Sequence, residues 1–525
     1  MSKLGRMGRL GNQLFQIASC IGLAKKHGAN VSFPKWEYEK YFENKLPTGK
    51  MEPHQVKELF FHHHDWKIDR SIDISAYLQS EKYWQECIPE IMEQFRFKEE
   101  FKRSVFQKFT GLQSKKERIA VSIRRGDFVS NKNYAQIPIT YYFTALENYF
   151  PGWENDYQLM IFSDDIDYCK LHFGESENIY YATHNQKYNK KENYYSVNED
   201  AIEQLCAGTM CEHFILSNST FSWWLAYLGE TSKSKIIRPL NTLDGALKKA
   251  NDTKDYYPTR WTIHEESPID LRDVTFMIPV HYDHSDRKQN LGLNVCMLQK
   301  HFDTNIVISE QGSDQFHYFH NYGCEYIKFD YKEFHRTRML NEMARLAKTS
   351  IIVNWDADVF ISPLQIMRSI KKLRSEEADV VYPYDGRFAR VPRIPNFKAL
   401  EQSFDVGIFS GHQFKGTTKN DKLSVGGAVF FNRAAYFKGG GENEMFVAYG
   451  PEDVEREVRF TRLGYKVYRT PGILYHMDHY KGPNSKCAGN KYDKQNHDEL
   501  EKIYAFDQAG LREYVDSWPL TQLYK

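Results

Sequence analysis

The stretch VSIRRGDFV, residues 121–129, carries an apolar run straight into two arginines, a glycine and an aspartate. Such a run forms a buried strand, and the polar cluster marks where the strand stops. Arg124 and Arg125 are adjacent cations, which repel unless an anion lies beside them. Asp127 can supply that anion in an internal ion pair that only fixes the turn. A phosphate gripped by the planar guanidinium forks can supply it equally well. Spacing leaves both readings open, with Gly126 allowing the backbone to turn closely.

The same design recurs along the chain. YQLMIFSDD (157–165), HFILSNSTFSWW (213–224), DVTFMIPV (273–280), TNIVISE (304–310) and TSIIVNWDADVF (349–360) are strand-like, and helix-like stretches separate them. That alternation predicts an α/β fold, in which ligands bind at the carboxyl ends of the strands. A polar stretch with two prolines, NDTKDYYPTRWTIHEESPIDLRD (251–273), separates two such series. The expected domains are residues 1–267 and 268–525, the first divided into lobes of about 1–115 and 116–267.

Bulk properties narrow the function. A chain of 525 residues suggests two to four domains. Its formal net charge of +1 argues against a nucleic-acid binder, which needs a concentrated basic face. The 8 cysteines include no CxxC pair, which points to a reducing compartment and away from a zinc ribbon. The N-terminus has no apolar signal region and no run is long enough to span a bilayer, so the expectation is a cytoplasmic protein. It would rest at the inner face of a membrane only through partners or substrate. Aromatics at 15% fit sugar contacts but fit core packing better.

Two further segments of the first half are candidates. GRLGNQLFQIASCIGLAKKHG (8–28) is a glycine turn opening a helix, with Leu14, Ala18 and Ile21 at helical spacing and Gly28 as the stop. Gly11, Asn12 and Gln13 there can receive an anion or sugar hydroxyl, or form a plain turn. In FILSNSTFSWWLAYLG (214–229) the cluster Ser217, Asn218, Ser219, Thr220 and Phe221 opens another helix. Its hydroxyls cap the helix or touch a phosphate.

These three segments resemble the alpha-1,2-fucosyltransferase family, glycosyltransferase family eleven. GRLGNQLFQIA, SIRRGDF and SNSTFSWWLAYL are the counterparts of its three motifs, and LQSEKYW (78–84) and IFSDD (161–165) follow the family order. The resemblance covers roughly residues 5–264. It implies a GT-B fold of two Rossmann-like lobes, GDP-fucose as donor, inversion at the sugar carbon and no obligatory metal. Arg124, Arg125 and Asp127 would then face the diphosphate, where fixed cations favour the transition state. Two positions depart from the family: Ser122 replaces its histidine, and Arg9 replaces the second glycine of GGLGNQ.

The second half carries a different set. VNWDADVF (353–360) places Asp356 and Asp358 after an apolar strand, and alternation predicts both carboxylates on one side. Hard oxygen ligands there suit Mn²⁺ or Mg²⁺. Gly426 and Gly427 permit close approach to a ligand, Glu452 and Asp453 open a helix, and His476 and His479 follow a later strand. Each has a plainer reading as loop, dipole-favoured charge or surface histidine. In this order they resemble GT-A transferases of the galactosyltransferase-like and chondroitin-polymerase-like group. The resemblance covers about residues 272–490. It implies a metal and a UDP-sugar held by Asp356, Asp358 and a later histidine, and a general base at Asp453, preferred over Glu452.

The joint expectation is a bifunctional glycosyltransferase with a GT-B-like half and a GT-A-like half. The second would add galactose or a related hexose to an oligosaccharide or lipid-linked glycan, and the first would cap it with fucose. The alternative keeps one half catalytic and makes the other a degenerate scaffold. FHHHDW (61–66) is read as packing, KKLRSEE (371–377) as a solvated helix face, and the tail DELEKIYAFDQAGLREYV as packing on the second domain.

Overall fold

The computed structural model describes residues 1–50, 54–58, 61–182, 198–416, 423–482 and 491–524. Its contacts divide the chain into two units. Unit 1 is Met1–Cys169 with Glu175–Glu266, and unit 2 is Lys170–Gly174 with Ser267–Lys525.

In unit 1, β1 (Gln55–Lys57) and β2 (Asp73–Ser75) form a parallel pair. The main sheet has six parallel strands: β3 (Arg118–Ile123), β4 (Gln158–Ser163), β5 (Ile179–Tyr181), β6 (His213–Ile215), β7 (Ile236–Pro239) and β8 (Thr262–His264). Their order is β5-β4-β3-β6-β7-β8, so every carboxyl end lies at one edge. Most residues of β3 and β4 are buried, as expected when helices cover both faces.

The helices α1 (Leu10–Lys26), α2 (Ile139–Tyr149) and α3 (Thr220–Gly229) matter for the site. Leu14 and Ala18 of α1 are fully buried, and the helix ends where Gly28 takes φ +59°. Phe15 packs on Trp223 and Trp224 at ring separations of 4.6 and 5.2 Å, so the tryptophans of α3 belong to the core. The expected first Rossmann-like lobe looks different. Among the described residues of 1–115 the named strands are only β1 and β2. That stretch is rich in aromatics but lacks the long apolar runs that build an open sheet.

Unit 2 holds β9 (Ile269–His281), β10 (Phe302–Gln311), β11 (Glu325–Phe329), β12 (Ile351–Trp355), β13 (Val359–Phe360) and β14 (Val380–Tyr382). Then follow β15 (Phe388–Val391), β16 (Lys415–Gly416), β17 (Ala428–Asn432), β18 (Val467–Arg469) and β19 (Leu474–Met477). A seven-stranded mixed sheet has the order β11-β10-β9-β12-β17-β14-β18, and a four-stranded one β13-β19-β15-β16. β17 runs antiparallel to β12, pairing Ala428 with Trp355, which sets Gly426 and Gly427 beside the Asp356 turn. β19 pairs with β13, placing His476 opposite Val359.

Three helices of unit 2 bear on its site: α4 (Arg336–Leu346), α5 (Glu452–Arg462) and α6 (Asp493–Ala505). α6 lies in the tail and packs on α5. Its fully buried Asn496 accepts from the Val447 N–H at 3.2 Å and donates to the Val447 and Tyr449 carbonyls at 2.9 and 3.3 Å. This clamp straddles Ala448, held at φ +57°, a costly conformation for a residue with a Cβ. Among the described residues no helix is long and apolar enough to cross a membrane.

Candidate functional site

At the carboxyl edge of unit 1, the repulsion between Arg124 and Arg125 is relieved by carboxylates. Arg124 pairs with Asp127 and, at 2.8 Å, with Asp164 at the end of β4. Arg125 lies 3.6 Å from Asp165 and stacks on Tyr168 at 3.6 Å, while its backbone N–H donates to Asp164 at 2.8 Å. The Asp164 carboxylate lies over Gly126 and leaves no room there for a Cβ. Asp127 also pairs with Arg9, at 3.3 Å. Burial opposes its ionisation, but Arg124 and Arg9 outweigh that and hold its carboxyl below the usual range. The Arg9 departure is thus part of the ion network.

The remaining candidates of unit 1 divide by what their polar atoms already do. Ser219 caps α3, accepting from the N–H groups of Phe221 and Ser222 at 3.1 and 3.4 Å. Gly11 packs on that helix start, and a Cβ there would lie 2.6 Å from the Thr220 carbonyl carbon. Ser217 and Ser122 each share a 2.6 Å hydroxyl contact with Ser222. Asn218 donates to the Ala135 and Thr242 carbonyls at 2.9 and 2.8 Å. Gln13 donates to the Gly8 carbonyl and accepts from Trp36. These groups hold the fold together, and Ser122 does so in place of the family's histidine. Asn12, accepting from Gln79 at 2.7 Å, is half-buried, as are Thr220 and Phe221.

In unit 2, Asp356 and Asp358 lie in the turn between β12 and β13, so strand alternation does not order them. They face different partners. Asp358 comes together with His476 and His479, their ligand atoms within 4.8 Å of one another. His479 Nε2 lies 3.2 Å and His476 Nε2 3.4 Å from the Asp358 oxygens. Asp356 instead accepts from Arg336 at the start of α4, at 2.8 Å.

One carboxylate and two imidazoles make a mixed oxygen–nitrogen set that suits a divalent transition-metal ion, Mn²⁺ among them, better than Mg²⁺, which takes oxygen ligands. His479 Nδ1 donates to the Tyr480 carbonyl at 2.6 Å, which leaves the Nε2 lone pair free to join Asp358 in ligating a cation. His476 Nδ1 is buried with no hydrogen-bond partner among the described residues.

The acid pair sits in the first turn of α5. Asp453 Oδ1 takes Arg456 at 2.7 Å and Arg336 at 3.3 Å. Its Oδ2 lies over Gly426, where a Cβ would come within 2.5 Å. Gly427 takes φ +88°, and its carbonyl accepts the Asp356 N–H at 2.9 Å. The two glycines thus bring the Asp356–Asp358 turn and the acid pair together. Burial works against ionisation of Asp453, but Arg456 and Arg336 hold its carboxyl below the usual range. Burial, reinforced by Asp453, pushes the Glu452 carboxyl up to about 8, and its Oε2 has no hydrogen-bond partner among the described residues.

Residues 4–265 match the family described as Glycosyl transferase family 11. A Caenorhabditis elegans protein named as a galactoside 2-alpha-L-fucosyltransferase is 24% identical over 295 residues, 50% of this chain and 78% of that one. Two Escherichia coli proteins also align. The O-antigen biosynthesis glycosyltransferase WbnK is 29% identical over 23% of this chain and 37% of its own. An alpha-1,2-colitosyltransferase is 27% identical over 27% of this chain and 46% of its own. The chain thus spans less than half the length of these two bacterial relatives. Unit 1 is a glycosyltransferase domain of this family. Among solved structures, GalNAc-T7 with UDP, GalNAc and Mn²⁺ aligns at 13% identity and a TM-score of 0.32, covering 46% of this chain and 50% of that one. No common fold follows at that level.

Sequence reasoning overlooked Asp164, Asp165, Arg336 and Arg456 as site residues. The doubled aspartate ending IFSDD, opposite a doubled arginine, was a signal for the first two. Arg336 and Arg456 look like ordinary helix residues until the chain folds.

Proposed function

We propose that the chain is a two-site glycosyltransferase in surface glycan assembly. Unit 1 moves L-fucose from GDP-fucose to the 2-hydroxyl of a galactoside. Unit 2 moves a hexose, galactose or a relative, from a UDP-sugar with inversion, onto an oligosaccharide or lipid-linked glycan. One observation carries the reading: a family 11 domain shares its chain with a unit in which Asp358, His476 and His479 converge and an acid pair stands beside the glycine turn.

In unit 2, Asp358, His476 and His479 would hold Mn²⁺. When bound, the metal neutralises charge on the departing diphosphate. Asp453 is the base: Arg336 and Arg456 keep it ionised through Oδ1, and Oδ2 takes the acceptor's hydroxyl proton as its oxygen attacks the anomeric carbon. Burial and the Asp453 charge make Glu452 hold its proton more tightly, so Asp453 is the better base of the two. In unit 1, Arg124 and Arg125 stand where charge develops on the leaving GDP, and no metal is needed.

The test offers the purified chain GDP-fucose, GDP-colitose and a panel of UDP-sugars with simple galactosides, each with Mn²⁺ and with EDTA. GDP-sugar turnover that survives EDTA, beside UDP-sugar turnover that does not, is the expected result. Turnover of one donor class alone would make the other unit a scaffold.

A further inference from the structure

The ion network at the carboxyl edge of unit 1 leaves little positive charge for a ligand. Arg9, Arg124 and Arg125 face Asp127, Asp164 and Asp165, three cations against three anions. A diphosphate arriving there meets as many carboxylates as guanidinium groups, and like charges at close range repel. With Arg124 and Arg125 already shared with carboxylates, a further cation would strengthen the hold on a leaving diphosphate.

Arg238, in β7, is such a group. It forms no ion pair among the described residues. Its contacts are the Tyr257 ring at 4.8 Å and the Pro239 carbonyl at 3.4 Å. Its Nε is buried without a hydrogen-bond acceptor among the described residues. Burial lowers its pKa, and the titratable groups that act on it are Tyr257 and Tyr141, neither of them an anion at neutral pH. A half-buried guanidinium with unmet donors is costly unless something accepts from it.

Its place in the sheet says where that acceptor would lie. β3 pairs Val121 with Ile215, and β6 pairs Ile215 with Ile237. One step on, Ser122, Leu216 and Arg238 lie side by side on one face, with Arg238 two strands or about 10 Å from β3. Tyr257, on which the guanidinium stacks, donates its hydroxyl to the Ser217 carbonyl at 3.3 Å. Arg238 is thereby anchored beside the segment that leads into the N-terminus of α3, whose dipole also favours an anion.

We propose that Arg238 binds a phosphate group of the nucleotide-sugar donor in unit 1. The proposal rests on the transferase reading of that unit, and calorimetry on the full chain separates the two. GDP, guanosine and inorganic pyrophosphate are titrated into the wild type, Arg238→Gln and Arg238→Lys. The glutamine variant should bind GDP at least 10-fold more weakly with guanosine affinity unchanged, and lysine should restore part of the loss. Unchanged GDP affinity, or equal loss of GDP and guanosine, overturns the proposal. If the glutamine variant does not fold, lysine answers alone: a several-fold loss of GDP with guanosine unchanged supports the site, and no loss overturns it. Wild-type binding of pyrophosphate but not GDP, dependent on Arg238, would keep the anion site and sink the transferase reading. Binding of neither ligand sinks both.

Discussion

The two units arrange charge in opposite ways. In unit 1 the cations lie at strand ends and loop carboxylates neutralise them, so Arg124 is shared between Asp127 and Asp164. In unit 2 carboxylates follow the strand and open the helix, and helix arginines pair closely with only some of them. Arg336 serves Asp356 and Asp453, while Asp358 is left with two histidines and with Arg287 at 3.9 Å. One edge is a balanced lattice of cations and anions. The other brings a carboxylate and two imidazoles within 4.8 Å of one another. Under the proposed function, a nucleotide diphosphate would be held by arginine in one place and by metal in the other.

The sharpest way to break this contrast is Asp358→Asn. It should reduce Mn²⁺ affinity and UDP-sugar turnover by about 100-fold or more while GDP-sugar turnover stays unchanged, since ligand removal costs more than the ~10–100-fold of an outer-shell change. Metal titration and the two turnover assays check it, and equal losses in both assays would tie the sites together.

Glu452→Gln sharpens the contrast through pH. The folded Glu452 carboxyl titrates at about 8, above the unfolded value near 4.5, so folded chains bind more protons between these limits. Wild-type stability therefore falls relative to the variant as pH rises from about 4.5 to 8, then levels off. Melting curves of both proteins across that range should show the gap widening in the variant's favour; a constant gap would place Glu452 in solvent. The smallest effect belongs to Arg9→Gly. Its pair with Asp127 leaves side chains 30% and 33% exposed, and such pairs contribute about 0.2–1 kcal/mol. A thermal shift of a few degrees at most is expected, larger at low salt than at high salt.

Much of the scaffold was legible in the chain. β3, β4, β6, β9, β10 and β12 all fall on apolar runs that stop at polar clusters, because a strand buried on both faces needs an unbroken apolar sequence. The α/β class followed from that alternation, and so did the attention to strand ends. The DAD turn shows where local reasoning stops. Alternation applies to an extended chain, and the residues between Trp355 and Val359 turn instead. Arg336 was invisible because it meets Asp453 across 117 residues. The internal roles of Gln13, Ser217 and Asn218 were hidden for the same reason: a motif names a residue but not the partner that folding brings to it.

The Asn496 clamp bears on the order in which the protein becomes competent. A nascent chain that has emerged through Tyr480 already holds Asp356, Asp358, both histidines and the acid pair of unit 2. It does not yet hold α6, whose side chains fix the Val447–Tyr449 loop just ahead of Glu452. The chemistry of that site is thus written before its lock. During synthesis, a helix that leaves the ribosome well after Glu452 and Asp453 fixes the loop that leads into them.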